Sequence, residues 1–329
     1  MLATIPITKT SASRMTPELR DNAAFGAVFS DHMLVADFAG GKWSEPRIIP
    51  HGAQPLAAAP ACAHYGQGIF EGFKAFSAAQ WRRGGVPSRR QSRAHGEDLP
   101  AHGDAGSAGV DLHRRHARAR RSSIATGSPR RTSSALYVRP VLFATGETLG
   151  VKPSEIVPLR DRDLPERAVF LGLGGSDRRR HLRARVPGGT GAAKCGGNYA
   201  GSMLAALEAQ KKGFHNVLWL DGIERSYVEE AGLMNVAFVI DGAVVTPPLG
   251  GTILPGITRD SVLTLLRDLK LPVEERRITH RRSVRGARQG HAAGRCRHRH
   301  RRRSSAPLGR LRHRIARSPI PADGRSTHR

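Results

Sequence analysis

Apolar and polar positions along the chain form ordered stretches separated by stretches with no period at all. From about 21 to 80, short apolar runs alternate with turns, as in AFGAVFS (24–30), HMLVADF (32–38) and GQGIFEGFKAF (66–76), and each predicts strand. ALYVRPVLFA (135–144) and RAVFLGLGG (167–175) read the same way. Residues 186–270 are the best patterned. Ala200, Met203, Leu204 and Leu207 predict one helical face, and Lys211, Lys212 and Gly213 its C-terminal end. HNVLWL (215–220) predicts a buried strand closed by Asp221-Gly222. VAFVI and AVVTP flank Asp241-Gly242, a strong hairpin signal. A second helix is expected from about Thr258, with Val262, Leu265, Leu266 and Leu269 as its inner stripe.

The gaps in this pattern coincide with the charge. The chain has 329 residues, a formal net charge of +26 and a pI near 11.5, which taken whole points to a nucleic-acid partner. Residues 82–131 hold 12 Arg against 4 acids, 175–185 hold 5 against 1, and 281–329 hold 16 against 1, with no lysine in any of them. The remainder has 20 basic and 21 acidic residues and is close to neutral. A basic tail that folds on RNA or DNA is one account of such segments. The other is translation of a shifted reading frame in a GC-rich gene, which favours Arg, Gly, Ala, Pro, Ser and His. Three separate basic insertions, two of them inside a compact domain where long structureless loops are uncommon, favour the second account, and no specific nucleic-acid partner is expected.

Three cysteines, at 62, 195 and 296, form no CxxC pair and suggest neither a disulfide framework nor a metal site. No run approaches 18 apolar residues and the N-terminus lacks a basic-then-apolar signal, so a cytoplasmic protein without a membrane partner is expected.

Candidate chemistry centres on GGTGAAKCGGNYAGSMLAALEAQKKG (188–213), where one of only eight lysines, Lys194, stands between glycine-rich turns ahead of a helix. The glycines allow tight turns and close approach of backbone to a ligand, and Asn198 is expected to cap the helix. An amine held there suits Schiff-base formation with an aldehyde cofactor, contact with phosphate, or a plain surface role. GITRDS (256–261) offers backbone N–H groups at a helix start, as an anion site or as a simple cap. In YVEEAGLMN (227–235), one of Glu229 and Glu230 is expected to point inward, where a buried carboxylate needs a partner such as a protonated pyridine nitrogen. Solvent-facing glutamates are the alternative.

These motifs, in order and with their spacing, resemble the branched-chain amino acid aminotransferases, pyridoxal-phosphate enzymes of fold type IV in the class-IV aminotransferase family. GGTGAAKCGGNYA, VLWLDGIERSYVEEAGLMN and TPPLGGTILPGITRDSVL carry the resemblance, which spans roughly 20–80, 134–174 and 186–278. It implies an α+β fold with a small N-terminal α/β domain (1–150) and a larger cofactor-binding domain (151–329) with a β-barrel-like core. Segments 82–131, 175–185 and 279–329 are expected not to be family-like. It makes Lys194 the Schiff-base lysine and the base that moves a proton between the substrate α-carbon and cofactor C4′. Tyr199 would bond the cofactor's phenolic oxygen, Glu230 rather than Glu229 the pyridine nitrogen, and Gly256, Ile257 and Thr258 the phosphate. Tyr65 and Phe70 would form an apolar wall, with Tyr137 and Arg139 shaping the substrate site. The implied cofactor is pyridoxal 5′-phosphate. The implied reaction is ping-pong transfer from L-leucine, L-isoleucine or L-valine to 2-oxoglutarate, in a homodimer. An apolar wall separates substrates by only about 1–3 kcal/mol per methylene, so preference among the three should be modest.

The resemblance also fails at definite places. The family's FRP-like phosphate clamp is missing from 82–131, its C-terminal Gly-Thr-Ala loop falls in the Arg-rich tail, and DRRRHLRAR replaces the strand ahead of the lysine loop, while APLGRLRHR (306–314) resembles the family again. Lost strands expose apolar faces and unpair backbone groups, against a total stability of only about 5–15 kcal/mol. A chain of this literal sequence is therefore expected to fold poorly or to lack activity, although its ancestor was an aminotransferase. Other fold type IV enzymes, a D-amino acid aminotransferase or aminodeoxychorismate lyase, are the nearby alternatives, and a basic nucleic-acid-binding protein the distant one.

Overall fold

The alternating run HMLVADFA forms the strand on which the N-terminal sheet is built. In the computed structural model, residues 5–22, 25–75, 134–167, 176–178 and 185–280 are described. Strand β1 (His32–Ala39) pairs antiparallel with β2 (Lys42–Trp43), β3 (Arg47–Pro50) and β7 (Val157–Arg167). β6 (Ser134–Phe143) lies on the far side of β7 and carries β4 (Gly68–Phe70) and β5 (Phe73–Ala75). AFGAVFS, expected as a strand, is instead turn and irregular chain where described. The expected boundary at 150 precedes β7, which joins this sheet.

Side chains alternate across the sheet as strand geometry requires. One face buries Leu34, Ala36, Phe38, Ile48, Ile69, Leu142, Val157 and Leu159 as a continuous core. In β6, Val138, Pro140 and Leu142 are buried, while Tyr137, Arg139 and Val141, on the opposite face, are half-buried. Phe70 is in register with Val141 and shares that second face.

Short helices α1 (Pro17–Asn22) and α2 (Ala61–Tyr65) flank this sheet. Beyond it come α3 (Gly196–Ala200), α4 (Met203–Lys211), β9 (Asn216–Leu220), β10 (Val228–Ala231) and β11 (Met234–Asn235). The strands form a sheet in the order β11-β10-β9-β8, where β8 is Ser176–Arg178 and runs parallel to β9. A third sheet, β12 (Phe238–Ile240), β13 (Ala243–Thr246) and β14 (Val273–Glu275), has α5 (Ile257–Asp268) inserted before its last strand. The hairpin at Asp241-Gly242 forms as read: φ is 52° and 85° at the two turn residues, and Ile240 faces Ala243.

The barrel-like core is not found. The sheets stay open among the described residues: the four-stranded one ends on β11 and β8, the three-stranded one on β12 and β14. Closure requires strands long enough to tilt and stagger around an axis, and β8 and β11 offer three and two residues.

Both predicted helix stripes turn mostly to solvent. In α4, Met203, Leu204 and Leu207 are 66, 56 and 50 % exposed, while Ala205 and Ala209 pack on Val217 and Trp219 of β9. The small alanine face lets the helix sit close on the sheet, which turns the bulky residues outward. In α5, Leu263 is buried and Leu266 of the predicted stripe is half-buried, whereas Val262, Leu265 and the C-cap residue Leu269 are exposed.

Candidate active site

Lys194 is delivered by a loop that its own side chains tie together. Asn198 is not the helix cap: it lies within α3, and the N-cap is Cys195, which makes no side-chain cap bond. The Asn198 amide instead reaches back to donate to the carbonyls of Thr190 (2.6 Å) and Ala193 (2.9 Å), and the Thr190 hydroxyl donates to its Oδ1 (2.8 Å). Gly191 packs where an added Cβ would meet the Thr252 backbone at 2.6 Å, so this approach is open to glycine alone. The loop is stitched to β4 by a main-chain bond from the Phe70 N–H to the Lys194 carbonyl (3.0 Å) and by a bridge between Ile69 and Cys195.

Around the amine stand an aromatic pair and buried carboxylates. Lys194 Nζ lies 5.4 Å from the centre of the Phe70 ring, and that ring meets Tyr199 at 4.7 Å between centroids. Glu71 Oε1 is 3.8 Å from Nζ. Glu230 is 4 % exposed and sits in β10, past a register shift between Val228 and Glu230. Its Oε2 accepts from Arg185 Nη1, and its Oε1 from Asn235 Nδ2 (3.3 Å) and the Leu254 N–H (3.4 Å). Burial pushes the Glu230 carboxyl above its ordinary pKa, and Arg185, the Leu254 N–H and Lys194 pull it back. Its neighbour Glu229 turns to the Thr252 hydroxyl (2.5 Å), and burial raises its pKa too.

Arg139 stacks over Phe70 at 4.9 Å and donates from Nη2 to the Tyr137 hydroxyl at 2.7 Å, while its buried Nε has no hydrogen-bond partner. Gly72 makes room for that hydroxyl: a Cβ there would lie 1.8 Å from it. Gly256, at the N-cap of α5, packs against the Asn235 amide, where a Cβ would meet Oδ1 at 2.1 Å. Asn235 thus links the helix start to Glu230. The Gly256 N–H already donates to the Leu254 carbonyl (2.8 Å), whereas Ile257 and Thr258 occupy the first turn, whose N–H groups have no intrahelical acceptor.

The structure therefore brings Lys194, Tyr199, Phe70, Tyr137, Arg139 and Glu230 around one site, with Gly256, Ile257 and Thr258 joined to it through Asn235. Tyr65 is engaged elsewhere. It is 39 % exposed at the end of α2, and its hydroxyl donates to the Leu149 carbonyl.

A family model, amino-transferase class IV, matches residues 174–283. Over 305 residues the chain is 37 % identical to branched-chain-amino-acid aminotransferase 2 of Bacillus subtilis (strain 168), covering 84 % of this chain and 76 % of that one. The chain belongs to the branched-chain-amino-acid aminotransferase family. A second member of the family, from Mycobacterium tuberculosis, is 39 % identical over 271 residues, covering 77 % of this chain and 71 % of its own. The fold is also that of the Escherichia coli branched-chain amino acid aminotransferase, with TM-score 0.60, 24 % identity and coverage of 76 % and 78 %.

In this family member, two site residues escaped the sequence reading. Glu71 carried a signal, a lone acid inside the apolar run GIFEGF. Arg185 carried none, being one arginine among many in 175–185. The remaining expectations for 82–131, for 281–329 and for APLGRLRHR lie outside the described residues. Among the described residues no helix is long and apolar enough to cross a membrane.

Proposed function

We propose that the chain transfers the amino group of L-leucine, L-isoleucine or L-valine to 2-oxoglutarate, with pyridoxal 5′-phosphate as cofactor. The observation that carries this reading is a lysine amine set against an aromatic ring and paired with a buried carboxylate, in a loop sewn to the neighbouring sheet.

The residues present fit that cofactor. Lys194 supplies a primary amine for its aldehyde, Glu230 a buried carboxylate for its ring nitrogen, and Tyr199 a phenol for its ring oxygen. The first-turn N–H groups at Ile257 and Thr258 suit its phosphate. When bound, the cofactor supplies an aldehyde that takes up the amino group and a ring that draws off the electron pair left at the substrate α-carbon.

The protein's own part is proton handling, orientation and exclusion of water. Lys194 Nζ removes the proton from the substrate α-carbon and returns a proton on the other side of the exchange. Arg185, Asn235 and the Leu254 N–H fix the direction of Glu230, and Arg185 and the Leu254 N–H oppose the effect of burial on its carboxyl. Arg139, with its unpartnered Nε, and Tyr137 suit a substrate carboxylate. Phe70 and Tyr199 present apolar surface to an aliphatic side chain and keep water from the amine.

The same reading includes a homodimer in the cytoplasm and a division into a small N-terminal unit and a larger cofactor-binding unit. The experiment is a glutamate-forming assay with 2-oxoglutarate and L-leucine, run beside D-alanine. Turnover of L-leucine alone supports the proposal. Turnover of D-alanine alone replaces it with a D-amino acid aminotransferase.

A further inference from the structure

Glu71 has no role in the chemistry described so far, yet it is among the most enclosed acids near the site, 8 % exposed. It directly follows Phe70, the last residue of β4. Its main chain is held by a bond from its N–H to the Pro140 carbonyl (3.1 Å), and its Oε1 accepts from the Gly72 N–H at 2.7 Å. That same oxygen faces Lys194 Nζ at 3.8 Å, an ion-pair distance longer than a direct N–H···O bond. The amine is thus drawn to the carboxylate without being clamped by it. Main-chain bonding between Phe70 and Lys194 sets the separation before any ligand arrives.

The other charged groups around this pair are Arg139 on β6, which also faces Glu71, and Glu230 on β10, which is itself bonded by Arg185. Burial pushes the Glu71 carboxyl above its ordinary pKa, and Lys194, the Gly72 N–H and Arg139 pull it back. Two cations therefore share one buried carboxylate. If one of them loses its charge, the other remains.

We propose that Glu71 is a positioning residue for Lys194: it holds the ammonium form of the amine beside the substrate site whenever the amine is not joined to cofactor. Arg139 remains as counter-ion to Glu71 when the lysine carries no charge. The inference rests on the reading of Lys194 as the cofactor lysine, but its first test needs no cofactor.

In the cofactor-free protein, labelling of Lys194 by trinitrobenzenesulfonate at pH 7.5 is followed by peptide mapping. Without the carboxylate the amine is no longer held in its ion pair, so Glu71→Gln should label about five- to tenfold faster. Glu71→Asp, which keeps the charge, should stay closer to the parent. An unchanged rate in a folded Glu71→Gln protein overturns the proposal. Should Glu71→Gln not fold, Lys194→Met gives the reverse test: without the cation, its denaturation midpoint should fall further at pH 8 than at pH 5, and equal loss at both overturns the proposal. A separate borohydride reduction of the parent with pyridoxal phosphate reports on Lys194 itself. Failure there removes the functional reading and leaves the labelling result standing.

Discussion

The Phe70 main-chain N–H donates to the Lys194 carbonyl at 3.0 Å, which joins the edge of the N-terminal sheet to the lysine loop. The Phe70 ring then lies within reach of Tyr199, Arg139 and the Lys194 amine together. Phe70→Ala keeps the main-chain bond and removes the ring. A loss of about tenfold to a hundredfold in kcat/KM for L-leucine is expected, equivalent to about 1.4–2.8 kcal/mol. Phe70→Leu should recover part of it. Steady-state kinetics with both variants checks this.

Arg185 and Glu230 give a pH signature. Their side chains are 10 % and 5 % exposed, so removing the cation leaves a buried charge at a cost of about 3–5 kcal/mol near neutral pH. Burial already raises the Glu230 carboxyl, and Arg185 is the largest influence opposing it. In Arg185→Met the folded pKa climbs further above the unfolded value of about 4.3. The folded state then binds more protons than the unfolded one across that interval, so stability falls as pH rises through it. The variant should lie close to the parent near pH 4 and well below it at pH 8 in urea melts. A parallel offset at both values contradicts this.

Exposed apolar faces on α4 and α5 predict poor solution behaviour. Met203, Leu204 and Leu207, and on α5 Val262, Leu265 and Leu269, are all at least 42 % exposed. Contiguous apolar surface of this kind binds hydrophobic dyes and promotes aggregation. Leu204→Lys combined with Leu265→Lys should lower dye fluorescence and raise the soluble fraction with little change in the melting midpoint. Repair of the Arg-rich segments 82–131 and 281–329 to the family pattern, with Arg185 kept, should act in the same direction and raise L-leucine turnover. No change in either quantity after repair contradicts the reading-frame account.

Local chemistry was legible wherever a short stretch decides its own shape. Asp241-Gly242 specifies its turn because only residues tolerant of positive φ fit there. Within HNVLWL the four apolar residues 217–220 form the buried part of the strand, with the polar pair His215 and Asn216 at its start. The crowding of glycines around Lys194 marked a place of close backbone approach, and the packing of Gly191 on Thr252 supplies the reason.

Choices made by partners distant in sequence were not legible. α4 lays alanines rather than leucines on β9, where Ala205 and Ala209 pack with Val217 and Trp219. Asn198 looked like a cap, yet it bonds back to Thr190 and Ala193, a preference set by how the loop folds over α3. The barrel-like core was implied by the resemblance alone, and among the described residues the sheets stay open.

The central claim is that Lys194 carries the cofactor, and the chain's eight lysines make the test discriminating. The protein is incubated with pyridoxal 5′-phosphate, reduced with borohydride, digested and mapped by mass spectrometry. The phosphopyridoxyl group is predicted on the peptide containing Lys194, and Lys194→Ala should abolish it. A label on another lysine, or none in folded protein, would contradict the account.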